Sequence, residues 1–338
     1  MRHRIVMELA AVAFSTAAIA QTQIPVVGFV NNGSQQAFGA LAEAFRLGLA
    51  DAGYHADSNV RIEYRWADGH NERLSDLLQD LAQKRVSIIV ATGGTPTAIA
   101  AKQISVTIPV VFSIGADPIK FGLVTSLSKP GGNMTGVSFL ANAVLPKQVE
   151  ILNEIAPKNT ALGFLVNPSN PNADADTDIV SAAAKIHGRE LVIARAATAS
   201  DIENAFLAFS DAKIGGLLIF PDATFTTNRG LLVKPAGVHK LPAIYNSREF
   251  AVSGGLIGYG ARQYDSYRQS GVYAGRVLKG ERPADLPVVQ STAIELVVNL
   301  KAARALGVSI PIALLGRADE VIELSIGLQY CPLIGVQS

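Results

Sequence analysis

Short runs of consecutive apolar residues alternate along this chain with segments whose apolar positions recur three or four apart, the signatures of buried strands and amphipathic helices. Residues 24–30 read as a buried strand. Phe38, Leu41, Ala42, Phe45 and Leu49 then recur at helical spacing until Gly53 stops the helix. Residues 60–66 alternate like a strand, and Leu74, Leu77, Leu78 and Leu81 mark a second helix. A third strand covers 86–92. After Gly93-Gly94, Thr95 is placed to cap a helix over 97–103 with Pro96 at its first position. A fourth strand follows at 109–113. So regular an alternation of strand and helix predicts a parallel sheet covered on both faces.

The same grammar restarts after a glycine-rich bridge at 129–136. A helix carrying Leu145, Val149, Leu152 and Ile155 stops at Pro157; a strand at 161–166 runs into the turn Asn167-Pro168-Ser169-Asn170-Pro171. A helix over 172–187 ends at Gly188, a strand covers 190–194, and Ser200 with Glu203 reads as a capping box. Strands at 216–220, 243–245 and 255–259, with a helix over 231–238 among them, complete a second α/β unit. Beyond it, a helix over 264–278, an extended crossing at 282–287, a strand at 292–299 and a helix to about 306 must dock on one unit or the other. The expected architecture is α/β, with two Rossmann-like lobes whose parallel sheets are joined by a multi-strand hinge. The expected division is 24–138 plus about 261–290 for lobe 1 and 139–260 plus about 291–323 for lobe 2.

The N-terminus breaks this pattern. Arg2, His3 and Arg4 precede a mostly apolar stretch ending in Ala18-Ile19-Ala20, the arrangement of a secretory signal cleaved after Ala20, over residues 1–20. The alternative is an amphipathic N-terminal helix docked on the first lobe. Cleavage would remove Arg2, Arg4 and Glu8, taking 29 basic and 28 acidic residues to 27 of each. No cysteine follows the stretch to carry a lipid anchor. No later run of about 18 apolar residues offers a membrane span. The near balance of charge disfavours nucleic-acid binding, which needs a basic surface. With 49% hydrophobic and 17% charged residues, the chain has ample apolar surface for two cores. The single cysteine, Cys331, excludes an intramolecular disulfide and any cysteine-based metal or redox site, and it sits in an atypical tail, 324–338.

In parallel sheets, ligands bind beyond the carboxyl ends of the strands, where loop amides and helix N-termini converge. Those ends are polar here. Asn31 and Asn32 follow the first strand, Thr95 and Pro96 the third, and Asp117 the fourth; in the second unit they are Asn167 with Asn170, Asp222 with Thr224, and Ser247 with Arg248. Turns and caps favour the same residue types, so no single position decides. Taken together, six polar strand ends on two lobes suit a small polar ligand clamped between them. Asp222 would meet an ammonium group, and Asp117 would do so or cap its own turn. Arg248 would pair with a carboxylate or with neighbouring acids. The helix N-terminus at Thr95 offers amides to a carboxylate. Tyr245, Tyr259 and Phe220 either stack on an aromatic ligand or belong to the core. His55, His70, His187 and His239 have no partner at a recognisable catalytic spacing, and no nucleophile elbow, zinc helix, phosphate loop or dinucleotide motif is present. No catalytic residue, metal or cofactor is therefore expected.

Several stretches match a known pattern in order and spacing. They are Ala91-Thr92-Gly93-Gly94-Thr95-Pro96, Ile108-Pro109-Val110-Val111-Phe112, Asp117-Pro118, and Leu127-Ser128-Lys129-Pro130-Gly131-Gly132-Asn133-Met134-Thr135-Gly136-Val137. Leu241-Pro242-Ala243-Ile244-Tyr245-Asn246-Ser247-Arg248-Glu249-Phe250 continues the match, as does Gly254-Gly255-Leu256. Over about residues 24–323 the chain resembles the tryptophan/tyrosine-type family of ABC-transporter substrate-binding proteins. That resemblance implies a type I periplasmic-binding-protein fold and a periplasmic, monomeric protein. It would deliver a small ligand to a membrane permease with a separate ATPase, touching the membrane only through that permease. It also implies that Asp222 meets a ligand amine. Relatives often read Asp-Asn-Thr at this point, whereas this chain has Asp222-Ala223-Thr224. The leading expectation is a solute receptor for an aromatic amino acid or a related aromatic or carboxylate compound. A ligand-sensing partner of a membrane sensor kinase is the alternative on the same fold, and a hydrolase or isomerase using Asp117 and Asp222 is the alternative from another class.

Overall fold

A computed structural model describes residues 24–105 and 107–323. The candidate signal segment with its cleavage site, and the tail with Cys331, lie outside the described residues. The first lobe begins with β1 (Val26–Asn31), α1 (Gln35–Asp51), β2 (Arg61–Trp66), α2 (Leu74–Gln83), β3 (Ile88–Thr92), α3 (Thr95–Ile104), β4 (Val110–Ile114) and β5 (Met134–Ser138). The chain then builds α4 (Leu145–Ile155), β6 (Leu162–Val166), α5 (Ala173–Ile186), β7 (Leu191–Arg195), α6 (Ala199–Asp211) and β8 (Gly216–Ile219). It continues with α7 (Ala223–Thr227), α8 (Gly230–Val238), β9 (Ala243–Tyr245), α9 (Arg248–Val252) and β10 (Ile257–Ala261). Next come α10 (Gln263–Leu278), which returns to pack on α1, and β11 (Val289–Gln290), β12 (Ile294–Asn299), α11 (Leu300–Leu306), α12 (Ile312–Leu315) and β13 (Glu320–Ile322).

Two sheets result. The first has the order β11-β5-β4-β3-β1-β2 and is parallel; the second has the order β13-β12-β10-β9-β8-β6-β7 and is parallel except where β12 runs against β10. The chain passes between them after β5, after β10 and after β11. Every residue of β3, β4 and β6 is buried, as strands covered on both faces require, whereas the edge strands β2 and β7 are only partly covered. One core fills the second lobe. In the first, separate cores lie on the two faces of its sheet. Helices α1 and α10 pack almost backbone to backbone. A Cβ on Gly48 would lie 1.8 Å from the Arg268 carbonyl oxygen, and one on Gly271 2.1 Å from that of Phe45.

Local readings shift at four places. The glycine-rich bridge ends inside β5. Gly136, at φ +154°, leaves no room for a side chain against the β4 backbone, and a Cβ there would lie 2.1 Å from the Phe112 carbonyl oxygen. The capping box of α6 is formed by Thr198 and Asp201 instead of Ser200 and Glu203: Asp201 N donates to Thr198 Oγ1 (3.2 Å) and Thr198 N to Asp201 Oδ2 (3.0 Å). Gly94, not Thr95, caps α3, so Thr95 already lies within the helix and Pro96 follows it. The crossing at 282–287 contains a 3-10 turn over Pro283–Asp285 before β11.

Candidate functional site

The carboxyl ends of the two sheets face one another across a cleft. Phe38, Gly93, Gly94, Thr95, Ser113 and Gly115 line it from the first lobe; Asn170, Asn172, Asp176, Asp222, Thr226 and Asn246 line it from the second. Phe139 and Asn142 contribute from the crossing after β5, and Gln263 and Tyr267 from α10. Among the described residues no lysine, arginine or histidine lines the cleft.

Asp222 is its most heavily bonded acid. The residue leaves β8 in an extended conformation and caps α7, so Oδ1 accepts from Thr224 N (2.9 Å). Oδ1 also accepts from Asn167 Nδ2 (3.0 Å), and Oδ2 accepts from Asn170 Nδ2 (2.8 Å). The two asparagines are themselves held: Asn167 Oδ1 accepts from Ser169 N (3.0 Å) and Asn170 Oδ1 from Asn172 N (3.0 Å). Three N–H donors thus support a buried carboxylate with no cation among its hydrogen-bond partners. A carboxylate presents about four lone-pair positions, which leaves one for a ligand.

Across the cleft, Gly93 and Gly94 take φ of +79° and +115° and turn the chain directly from β3 into α3. Tyr267 supports this turn from below. Its hydroxyl accepts from Gly93 N (3.1 Å) and Asn31 Nδ2 (3.0 Å), and burial pushes the phenol up to about 12, so it stays neutral. Asp176 is different. It lies in the first turn of α5, 4% exposed, with Oδ1 lacking any hydrogen-bond partner. Loss of solvation raises its carboxyl from 3.8 to about 6, against the opposing pull of Lys120 and Asn142.

The lobes touch directly around the cleft. Thr224 Oγ1 donates to the Gly69 carbonyl (2.8 Å), Asn71 Nδ2 to the Ser169 carbonyl (3.2 Å), Asn172 Nδ2 to Thr95 Oγ1 (3.1 Å), and Ser34 N to Thr227 Oγ1 (3.2 Å). The family described as ABC transporter substrate binding protein matches residues 23–322. The chain belongs to this family.

As a member, it is a substrate-binding protein of the ABC-transporter type, and such proteins work outside the cytoplasm. It is 28% identical over 265 residues to a tyrosine-binding protein of Clostridioides difficile (strain R20291), covering 78% of this chain and 75% of that protein. A domain from Streptococcus pneumonia in complex with L-Trp superposes with a TM-score of 0.80 at 26% identity, over 88% of this chain and 99% of that one. A ligand-free, open substrate-binding protein with adhesive properties from Clostridium difficile gives 0.62 at 25% identity, with coverage of 88% and 99%. At near-equal identity the fit is better to the ligand-bound relative than to the ligand-free, open one, and the hydrogen bonds above join the two lobes across the cleft. The type I periplasmic-binding fold recurs at 16% identity in a periplasmic binding protein/LacI transcriptional regulator from Alkaliphilus metalliredigens, with a TM-score of 0.55 over 80% of this chain and 96% of that one.

Of the strand-end residues singled out in the sequence, Thr95, Asn170 and Asp222 line the cleft of this substrate-binding protein, with Asn167 and Thr224 directly behind Asp222. Asn31 lies beneath the floor, bonded to Thr92 Oγ1 (2.9 Å) and Tyr267; Asn32 donates to Asn71 Oδ1 (2.8 Å) beside the cleft. Pro96 is not among the cleft-lining residues. Asp117 is exposed and accepts from Ile119 N (2.9 Å), capping its turn, so it does not share a site with Asp222. Ser247 is buried with an unpartnered hydroxyl, outside the cleft lining. Arg248 pairs with Glu320 (2.6 Å) and more loosely with Glu295 (3.8 Å) on the flank of the second lobe. Phe220 and Tyr245 are core residues, and Tyr259 packs against the same core. Phe38, Ser113, Phe139, Asn142, Asn172, Asp176, Thr226, Gln263 and Tyr267 are among the further lining residues. Asp176 had one available signal: it follows Asn172 by four residues and so shares a helix face with it. Among the described residues no group of three or more histidine, cysteine, aspartate or glutamate side chains is placed to hold a metal, and no helix is long and apolar enough to cross a membrane.

Proposed function

We propose that the protein is the periplasmic receptor of an ABC importer, closing two lobes on an aromatic amino acid and delivering it to a permease served by a separate ATPase. The observation that carries this reading is the opposition, across one cleft, of the Asp222 carboxylate with its three N–H supports and the N-terminal turn of α3. An α-ammonium group takes the remaining acceptor position of Asp222. An α-carboxylate takes the amides at the start of α3, where the helix dipole favours negative charge. Phe38, Phe139 and Tyr267 supply an aromatic surface for the ring. The tyrosine named for one relative and the L-Trp bound to another support the same ligand class. Residues 1–20 act in this reading as a signal removed on export, and the receptor works as a monomer.

The test is calorimetric titration and thermal shift on protein refolded from denaturant to strip bound ligand, against the aromatic amino acids and simple aromatic carboxylates. Ligand at a hundredfold over its Kd stabilises a single-site receptor by ~2.7 kcal/mol. Absence of both heat and shift with every compound in the set would overturn the assignment. Asp222→Ala must abolish binding of the amino acids.

A further inference from the structure

Asp222 accounts for one acid of the cleft. A second buried acid lines the same cleft, and the receptor reading above leaves its chemistry unused. Asp176 is nine-tenths buried, lines the cleft, and keeps Oδ1 without a partner. Among the described residues no cation stands within ion-pair distance of it. Lys120 is the charge that acts on it from further away, and Asn142 is its polar neighbour. A buried carboxylate oxygen with no donor is costly in a folded protein, and one that lines a cleft is open to a donor brought by a ligand.

The fold places the two acids against different parts of the first lobe. Ala223 packs in the core with Phe38, and Thr227 receives a hydrogen bond from Ser34, so the Asp222 turn sits near the carboxyl end of β1. Asn172 touches Thr95 just after β3, and Asp176 follows one helical turn later. Its neighbour Asn142 adjoins Ala141, whose N–H donates to the Gly115 carbonyl (2.7 Å) at the end of β4. β1 and β4 are separated by β3 alone. Both acids line the cleft, as do Phe38, Phe139 and Tyr267.

We propose that Asp176 is a second ligand-binding carboxylate, accepting a hydrogen bond from a donor on the ring of the ligand and so selecting aromatic amino acids that carry a phenol O–H or an indole N–H. The proposal rests on the receptor reading, with the amine at Asp222, and adds specificity for the ring. A hydrogen bond to a charged acceptor is about twice as strong as one between neutral groups, so a ligand without a ring donor forfeits the stronger kind and leaves the carboxylate bare.

L-Tyrosine and L-phenylalanine differ only in that donor. Titrated calorimetrically into the wild-type protein, tyrosine should bind at least tenfold more tightly than phenylalanine, with tryptophan on the side of tyrosine. In Asp176→Leu the tyrosine-to-phenylalanine ratio should fall below threefold, and in the isosteric Asp176→Asn to an intermediate value. A partly misfolded sample lowers both affinities alike and leaves the ratio intact, so the ratio reads the contact and not the stability. Equal wild-type affinity for the two amino acids, or an unchanged ratio in both variants, overturns the role of Asp176 and leaves the receptor reading standing. Failure of the wild-type protein to bind any of the three overturns that reading, and this proposal with it.

Discussion

In the ligand-free closed protein, Asp176 destabilises the fold above pH 6, and Asp176→Asn relieves that cost. The carboxyl titrates near 3.8 when solvated and near 6 when buried in the cleft, mainly because burial disfavours its charged form. Each tenfold change in proton affinity is worth ~1.4 kcal/mol, so this difference amounts to ~3 kcal/mol at neutral pH. The sign follows from proton counting. Between 3.8 and 6 the folded state holds a proton that the unfolded state has released, so stability falls as pH rises through that window and is level on either side. Asparagine has no such slope. Wild type and variant should therefore run parallel below pH 3.8 and diverge by as much as ~3 kcal/mol by pH 7, the full figure belonging to the closed form, since opening returns the carboxylate to water. At ~2.1 cal/mol/K per residue over about 300 residues, that is about 5 °C in Tm. The assay is thermal or urea denaturation of ligand-stripped protein at closely spaced pH values from 3.5 to 7.5. Any fixed gain or loss from the amide's own hydrogen bonding cancels when the gap at pH 7 is compared with the gap at pH 3.8. A gap that does not widen across the window would show that Asp176 is solvated in the folded protein, and the reasoning from burial would fail.

Asp222→Ala leaves the side-chain amides of Asn167 and Asn170 and the Thr224 N–H without their acceptor. At ~1 kcal/mol or more for each stranded buried donor, ligand-free stability should fall by ~3 kcal/mol, read by urea denaturation. Thr224→Val removes the hydroxyl that donates to Gly69 across the cleft. A net ~0.5–1.5 kcal/mol lost from the closed state should weaken ligand binding about two- to tenfold by calorimetry. Gly271→Ala drives a methyl into the Phe45 carbonyl and should cost ~1–3 kcal/mol by pushing α10 off α1, seen as a lowered urea midpoint.

What the sequence made legible follows what it encodes locally. β3, β4 and β6 are buried on every residue, and their unbroken apolar runs identified them without help from the rest of the chain. β5, reading Met-Thr-Gly-Val-Ser, has no such run; it is a strand because β4 and β11 pair with it on either side, a tertiary cause invisible in its own residues. The site divides in the same way. Asp222, Asn170 and Thr95 were legible because they stand where a strand ends, and that position lies beside the cleft in any parallel sheet. Asp117 and Arg248 stand at strand ends too, yet one bends back to cap its own turn and the other pairs with Glu320 outside the cleft. Asp176, Gln263 and Tyr267 come from helices, where only docking decides which face meets the ligand.

Closing this cleft without a ligand sets two comparable quantities against each other. Among the described residues four hydrogen bonds join the lobes across the cleft, and at a net ~0.5–1.5 kcal/mol each they favour closure by ~2–6 kcal/mol. Burying the Asp176 carboxylate at neutral pH opposes it by ~3 kcal/mol, since opening returns that group to water. The two nearly cancel, so neither state dominates by much in the empty receptor, and a ligand needs only modest preference for the closed form to decide the population. A ligand that gives Asp176 a donor does more than add a contact: it removes the largest charge penalty in the closed cleft while leaving the four lobe contacts in place. Selectivity and closure are thus coupled through one side chain. A molecule that fits the aromatic surface but brings no donor to Asp176 would bind with that penalty still opposing closure.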